Sequence, residues 1–62
     1  MKEIRKVIVY VNDKFTNYIT DVQSITEVGG LANTPLMIIF EGEKEKHTYI
    51  LNNIYGYEVI YK

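Results

Sequence analysis

Residues 48–62, TYILNNIYGYEVIYK, decide the fold that the sequence predicts. Tyr55, Tyr57, Val59 and Tyr61 occupy every second position, and alternate residues of a strand project from the same side. Gly56 and the many Tyr and Asn residues disfavour a helix here. We therefore predict a C-terminal strand and call Tyr55, Tyr57, Val59 and Tyr61 the tyrosine face.

The first half of this stretch repeats a pattern found 32 residues earlier. Residues 18–25, YITDVQSI, and residues 50–57, ILNNIYGY, share the same order of apolar, short polar and small residues. Short polar residues bond their own backbone at corners, so each copy predicts a strand, a corner, an apolar plug and a new strand. Tyr57 aligns with Ile25, which makes Tyr57 a candidate core residue.

Residues 14–28 leave two alternatives open when they are taken alone. Their apolar residues recur at spacings of three and four, as in an amphipathic helix that Asp13 would cap and Gly29 would end. Their Thr, Asn, Ser and β-branched residues are mediocre helix formers, and no Ala or Leu supports them. Because the second copy of the repeat cannot be helical, the repeat favours two strands here.

The other segments give the remaining predicted strands. Residues 4–11, IRKVIVYV, are apolar on both sides, which is typical of a strand that is central in its sheet or covered on both sides. Asn12-Asp13 predicts a tight hairpin. Residues 36–40, LMIIF, predict a central buried strand, and a charged turn after them leads into a returning strand at residues 46–51. Residues 29–35, GGLANTP, predict a flexible loop that joins the two halves.

The fold class that follows is all-β, as a small antiparallel meander or open barrel of five to six short strands built from two β-β-β pseudo-repeats. The alternative is an α+β fold with one helix at residues 14–28 on a four-stranded sheet. We expect one domain over residues 1–62, because so short a chain cannot support two cores. Cysteine is absent, so stability must come from packing, from the sheets or from a partner copy.

The charge balance argues against strong attraction to nucleic acid or to a membrane. Seven basic and eight acidic side chains are interspersed and give a formal net charge of -1. Lys2, Arg5, Lys6 and Lys14 could still form a modest basic strip, so the alternative function is a small single-stranded nucleic-acid-binding β-barrel. No signal peptide or transmembrane span is visible, and we expect a cytoplasmic protein.

The sequence offers no set of residues for catalysis. His47, the single histidine, would share a side with Glu45 and Tyr49, which we interpret as a half-exposed cluster near a charged turn. Glu41, Glu43 and Glu45 alternate, but lysines interleave with them and a calcium site needs more oxygen ligands. We therefore expect no enzyme activity, no metal and no cofactor.

The tyrosine face is the strongest functional candidate. Tyrosine offers a large apolar area and a hydroxyl with little rotamer entropy, and it is enriched at protein interfaces. We expect a non-enzymatic protein-binding module that acts through the tyrosine face or a free edge strand and that also self-associates as a homodimer. The many Ile, Asn, Lys and Tyr residues are typical of AT-rich genomes, which leads to the hypothesis of a phage or mobile-element inhibitor of a host protein.

Overall fold

The chain folds into two three-stranded antiparallel sheets. The computed structural model describes residues 2–30 and 36–62. The first sheet has the strand order β2-β1-β6 and the second has the order β3-β4-β5. The strands are β1 (Ile4–Asn12), β2 (Phe15–Ile19), β3 (Ser24–Val28), β4 (Met37–Glu41), β5 (Lys46–Ile50) and β6 (Gly56–Tyr61), with a 3-10 turn at Leu51–Asn53.

This architecture confirms the all-β prediction. Residues 15–19 and 24–28 are strands, so the alternative with a helix at residues 14–28 is wrong, and the described residues contain no α-helix. Val22 lies in the corner between β2 and β3 and is 5% exposed, which makes it the apolar plug that the repeat predicts. None of the described residues belongs to a helix with the length and apolar character needed to cross a membrane.

The two halves of the chain exchange their third strands. β1 and β2 form one hairpin, and β4 and β5 form another. β3 then pairs with β4, whereas β6 pairs with β1. Ile25 lies opposite Phe40, and Tyr57 lies opposite Val9, so the two aligned residues of the repeat occupy corresponding places in the two sheets.

The core lies between the sheets. β1 and β4 are the central strands, as predicted from residues 4–11 and 36–40. Because alternate strand residues face opposite sides, each central strand gives two fully buried residues to the core. The core residues, all at most 5% exposed, are Val7, Val9, Ile19, Val22, Ile38 and Phe40.

The turns fall where the sequence predicts them. Asn12 Oδ1 accepts a hydrogen bond from the Lys14 N–H at 2.8 Å in the first hairpin. Gly29 and Gly30 begin the connection between the halves with φ of 80° and 90°, a conformation that glycine adopts without steric cost. Residues 31–35 of the predicted flexible loop lie outside the described residues.

The Asp21 carboxylate does not hydrogen-bond the backbone of its own corner, contrary to the prediction for the short polar corner residues. The carboxylate instead accepts hydrogen bonds from the backbone N–H groups of Lys44 at 2.8 Å, Glu43 at 3.0 Å and Glu45 at 2.9 Å. These bonds, above all those from Lys44 and Glu43, lower the pKa of Asp21. A Cβ atom at Gly42 would overlap the Asp21 carbonyl oxygen, so glycine allows this close approach.

Candidate binding surface

The residues of the tyrosine face do not share one outward surface. β6 begins at Gly56, so Tyr55 precedes the strand. Tyr57 and Val59 lie opposite Val9 and Val7, which are fully buried. Directly opposed residues share a side of the sheet, so Tyr57 and Val59 lie on the inner side, towards the second sheet.

Tyr57 and Val59 take part in the packing of the fold. Val59 packs against the core, and the Tyr57 ring makes an edge-to-face contact with Phe40 at 5.4 Å between centroids. Burial, followed by the charge of Glu27 and the neighbouring Tyr61, raises the pKa of Tyr57. Tyr57 keeps 37% of its surface exposed, so it joins the two sheets while remaining in contact with solvent.

Tyr55 and Tyr61 are the most exposed members of the tyrosine face, at 70% and 46%. The Tyr55 backbone N–H donates a hydrogen bond to the Tyr10 carbonyl oxygen at 2.7 Å, which fixes the chain at this point. Lys2 Nζ lies 5.4 Å from the centre of the Tyr61 ring, a cation-π contact at the other end of β6. Both tyrosines therefore have surface available for a partner, at opposite ends of the strand.

The outer side of the first sheet carries a second group of aromatic and apolar residues. Ile8 on β1 lies opposite Tyr18 on β2 and Glu58 on β6. Tyr10 and Tyr18 are 39% and 63% exposed, so no described residue covers this side fully. We call this surface the outer face; its residues are Lys6, Ile8, Tyr10, Thr16, Tyr18, Glu58 and Ile60.

One hydrogen bond orients the middle of the outer face. The Tyr10 hydroxyl donates to Glu58 Oε1 at 2.8 Å, which raises the pKa of Tyr10. Gly56 lies opposite Tyr10, and no described residue other than its two chain neighbours has a heavy atom within 4 Å of the place that a Cβ atom would take at Gly56. The outer face therefore has a fixed tyrosine-carboxylate pair beside a shallow open space.

The sequence pattern does not identify Ile8, Tyr10, Tyr18 and Ile60 as candidate contact residues. A signal for the first two was present, because residues 4–11 are apolar on both sides. A central position in the sheet, which the sequence correctly predicts for β1, does not require a second covering layer. The side of β1 that the second sheet leaves open is the centre of the outer face.

The structure does not bring the four basic candidates together. Lys2 and Arg5 line a cleft of about 450 Å³ together with Lys62. Lys6 lies on the outer face, opposite Ile60. Lys14 lies in the turn after β1, and the strand from Arg5 to Asn12 alone spans about 23 Å at about 3.3 Å per residue. The four side chains therefore do not form a continuous strip along the first hairpin.

The residues around His47 form two separate contacts. His47 Nε2 lies 2.9 Å from Glu45 Oε1, on the side of the strand that the alternation predicts. The Tyr49 hydroxyl accepts a hydrogen bond from Asn17 Nδ2 at 2.6 Å and so joins β5 to β2. Within residues 2–30 and 36–62, no group of three His, Asp or Glu side chains could hold a metal ion.

The outer face thus offers contact area, hydroxyl groups and two charges of opposite sign. Its tyrosines are Tyr10 on β1 and Tyr18 on β2, and the exposed Tyr55 lies just before β6, where its backbone N–H bonds the Tyr10 carbonyl oxygen. Comparison with protein families, curated proteins and solved structures found no match to this chain.

Proposed function

We propose that this chain is a small, non-enzymatic, cytoplasmic domain that binds another protein through the outer face and Tyr55. The observation that carries the proposal is the open apolar side of β1, where Ile8 and Tyr10 lie between exposed residues of β2 and β6. Contiguous exposed apolar surface on a small domain commonly marks an interaction site.

The composition of the outer face is suited to a protein partner. Tyrosine side chains often carry much of the binding energy at protein interfaces, because they bury a large area and keep a hydroxyl for a hydrogen bond. Tyr18 and Tyr55 are the most exposed tyrosines of the described chain and are not packed on Phe40. Lys6 and Glu58 would give the partner one charge of each sign at the rim.

The inhibitor hypothesis fits this mode of action. A phage or mobile-element protein that blocks a host protein needs a surface that covers its target, and it needs no catalytic group. The partner that we propose is therefore a folded host protein with an exposed apolar patch, and binding of that patch to the outer face would exclude the host protein's usual ligand.

Paired substitutions test the proposal. We expect Tyr18→Ser with Tyr55→Ser to reduce capture of the partner from a host lysate by at least about tenfold, because loss of two interface tyrosines commonly costs more than 1 kcal/mol each. The control is Val28→Ser with Ile50→Ser, two exposed apolar residues on the second sheet, at 37% and 46%. Bound proteins are identified by mass spectrometry, and circular dichroism verifies the fold of each variant.

A third variant separates the surface around Tyr18 and Tyr55 from Tyr61, the other strongly exposed member of the tyrosine face. Tyr61→Ser removes the exposed tyrosine at the far end of β6. Loss of capture by Tyr61→Ser but not by the Tyr18 and Tyr55 pair would move the contact to the Tyr61 end of the tyrosine face. Equal capture by all three variants and the wild type would contradict the proposal.

A further inference from the structure

We infer that two copies of this chain pair through the free edge of β6 and form one continuous sheet with the order β2-β1-β6-β6-β1-β2. The inference goes beyond the proposed function and does not depend on it. The pairing uses the backbone of an edge strand, whereas the host protein proposed above would bind to the side chains of the outer face.

β6 has the features of an edge strand open to pairing. It ends the order of the first sheet, so one row of its backbone N–H and C=O groups has no strand partner among the described residues. Folded proteins usually protect such edges with lysine, proline or several charges. The sequence of β6, GYEVIY, contains Glu58 and none of the other protective residues. By contrast, β5 carries Lys46 and His47, and β3 carries Glu27.

A two-fold axis at Val59 gives a favourable register. Antiparallel pairing then places Val59 opposite Val59 of the second copy, Tyr57 opposite its Tyr61, and Glu58 opposite its Ile60. The partly exposed Tyr57 and Tyr61 gain an aromatic neighbour across the new strand pair. An axis at Glu58 would place two carboxylates directly opposite each other, which disfavours that register.

Charge complementarity points to a second copy as the occupant of this edge. Lys6 lies beside Ile60 on the outer side of the sheet, and in the paired sheet Glu58 of the second copy follows Ile60 in the same row. The backbones of Lys6 and of that Glu58 are then two strands, or about 10 Å, apart. A lysine side chain that extends over Ile60 can span most of this distance.

The same contact explains why β6 is favoured over the other free edge of the first sheet. Within the described residues, Lys6 has no carboxylate within ion-pair distance, and the two-fold axis supplies one to each copy. β2, FTNYI, has no charged residue, so pairing through β2 leaves Lys6 without this partner.

Two opposite charges at one position test the register. The wild type should have a mass of about 15 kDa by light scattering at ~100 µM, twice the 7.3 kDa of one chain. Ile60→Glu places a carboxylate opposite Glu58 of the second copy at two symmetric sites, and it should weaken the dimer by at least about tenfold. Ile60→Lys places an ammonium group there and should retain the dimer.

The two variants also distinguish pairing from an effect on the single chain. Within one copy, residue 60 lies beside Lys6, so Glu would be the favourable charge and Lys the unfavourable one. A purely structural role for Ile60 therefore predicts the reverse order. Adding Glu58→Lys to Ile60→Glu exchanges the charges across the two-fold axis and should restore the dimer.

Other outcomes overturn the inference. A monomeric wild type at ~1 mM would exclude the pairing, and equal weakening by Ile60→Glu and Ile60→Lys would indicate packing of outer faces instead of edges. Thr16→Lys on β2 should leave the dimer intact, and dissociation by this variant alone would move the pairing to β2. Tyr18→Ser with Tyr55→Ser should remain dimeric, so failure of partner capture and failure of pairing are measured separately.

Discussion

At the scale of single residues, Asp21 is the side chain that most directly joins the two halves. Its carboxylate accepts hydrogen bonds from three backbone N–H groups of the turn between β4 and β5, which lies 22 to 24 residues away in the sequence. The sequence correctly predicts a corner at Asp21. It does not predict the partner of the carboxylate, because a short polar residue can bond its own backbone or any N–H group that the fold brings near.

The lowered pKa of Asp21 predicts a pH dependence of stability. The folded-state pKa lies below the unfolded value near 3.8, so the stabilisation is present above that pH and is lost as the pH falls through the folded-state pKa. We expect Asp21→Asn to lower the unfolding temperature at pH 7 and to flatten its decline below pH 4. Thermal denaturation at pH 7 and pH 3 measures both effects.

Asp13→Asn is the matched control, because Asp13 lies in the hairpin turn between β1 and β2 and its carboxylate takes part in no described hydrogen bond. This control should keep the acid dependence of the wild type. Equal acid dependence in Asp21→Asn and the wild type would show that Asp21 contributes nothing through its charge.

At the scale of elements, the six strands and their approximate bounds follow from the sequence, but their orientation does not. A period of two identifies Tyr57, Val59 and Tyr61 as one side of β6 without saying whether that side faces the core. The pairing of Tyr57 with buried Val9 makes it the inner side. The sequence does not predict the outer face for the same reason. This face combines residues from three strands, and sequence pattern alone does not show which strands pair with each other.

This orientation predicts different costs for two similar substitutions. Tyr57→Ser should lower the free energy of unfolding by about 2 kcal/mol, because it removes the aromatic contact with Phe40 and part of the buried area. Tyr55→Ser should change it by less than about 0.5 kcal/mol, since Tyr55 is exposed. Urea denaturation at one fixed protein concentration compares them, and a greater loss in Tyr55→Ser would reverse the assignment of inner and exposed tyrosines.

At the scale of the whole molecule, the sequence predicts two β-β-β units. The structure shows in addition that the two units exchange their third strands, β3 and β6. Strand pairing between distant segments depends on which sheet edges meet during folding, and local pattern carries little information about it. The distribution of charge is also a property of the whole fold. Lys2 and Arg5 lie near Lys62, whereas Lys14 lies at the far end of β1.

This distribution predicts weak contact with nucleic acid. We expect no saturable change in fluorescence anisotropy when a labelled oligothymidine of about 20 nucleotides is titrated with the protein at ~50 mM salt, because binding requires several phosphates to be neutralised together. Binding that weakens steeply with added salt would favour the alternative function. Arg5→Gln with Lys62→Gln would then show whether the cleft is the site.

The exchange of third strands has a consequence for the chain as a continuous polymer. A single cut between residues 30 and 36 would leave one piece with β1, β2 and β3 and another with β4, β5 and β6. Each piece would hold a hairpin without its third strand, together with a strand whose partner belongs to the other piece. The molecule therefore resembles a complex of two fragments that are covalently joined. During synthesis the sheet of β1 and β2 stays incomplete until β6, the last strand, has been made.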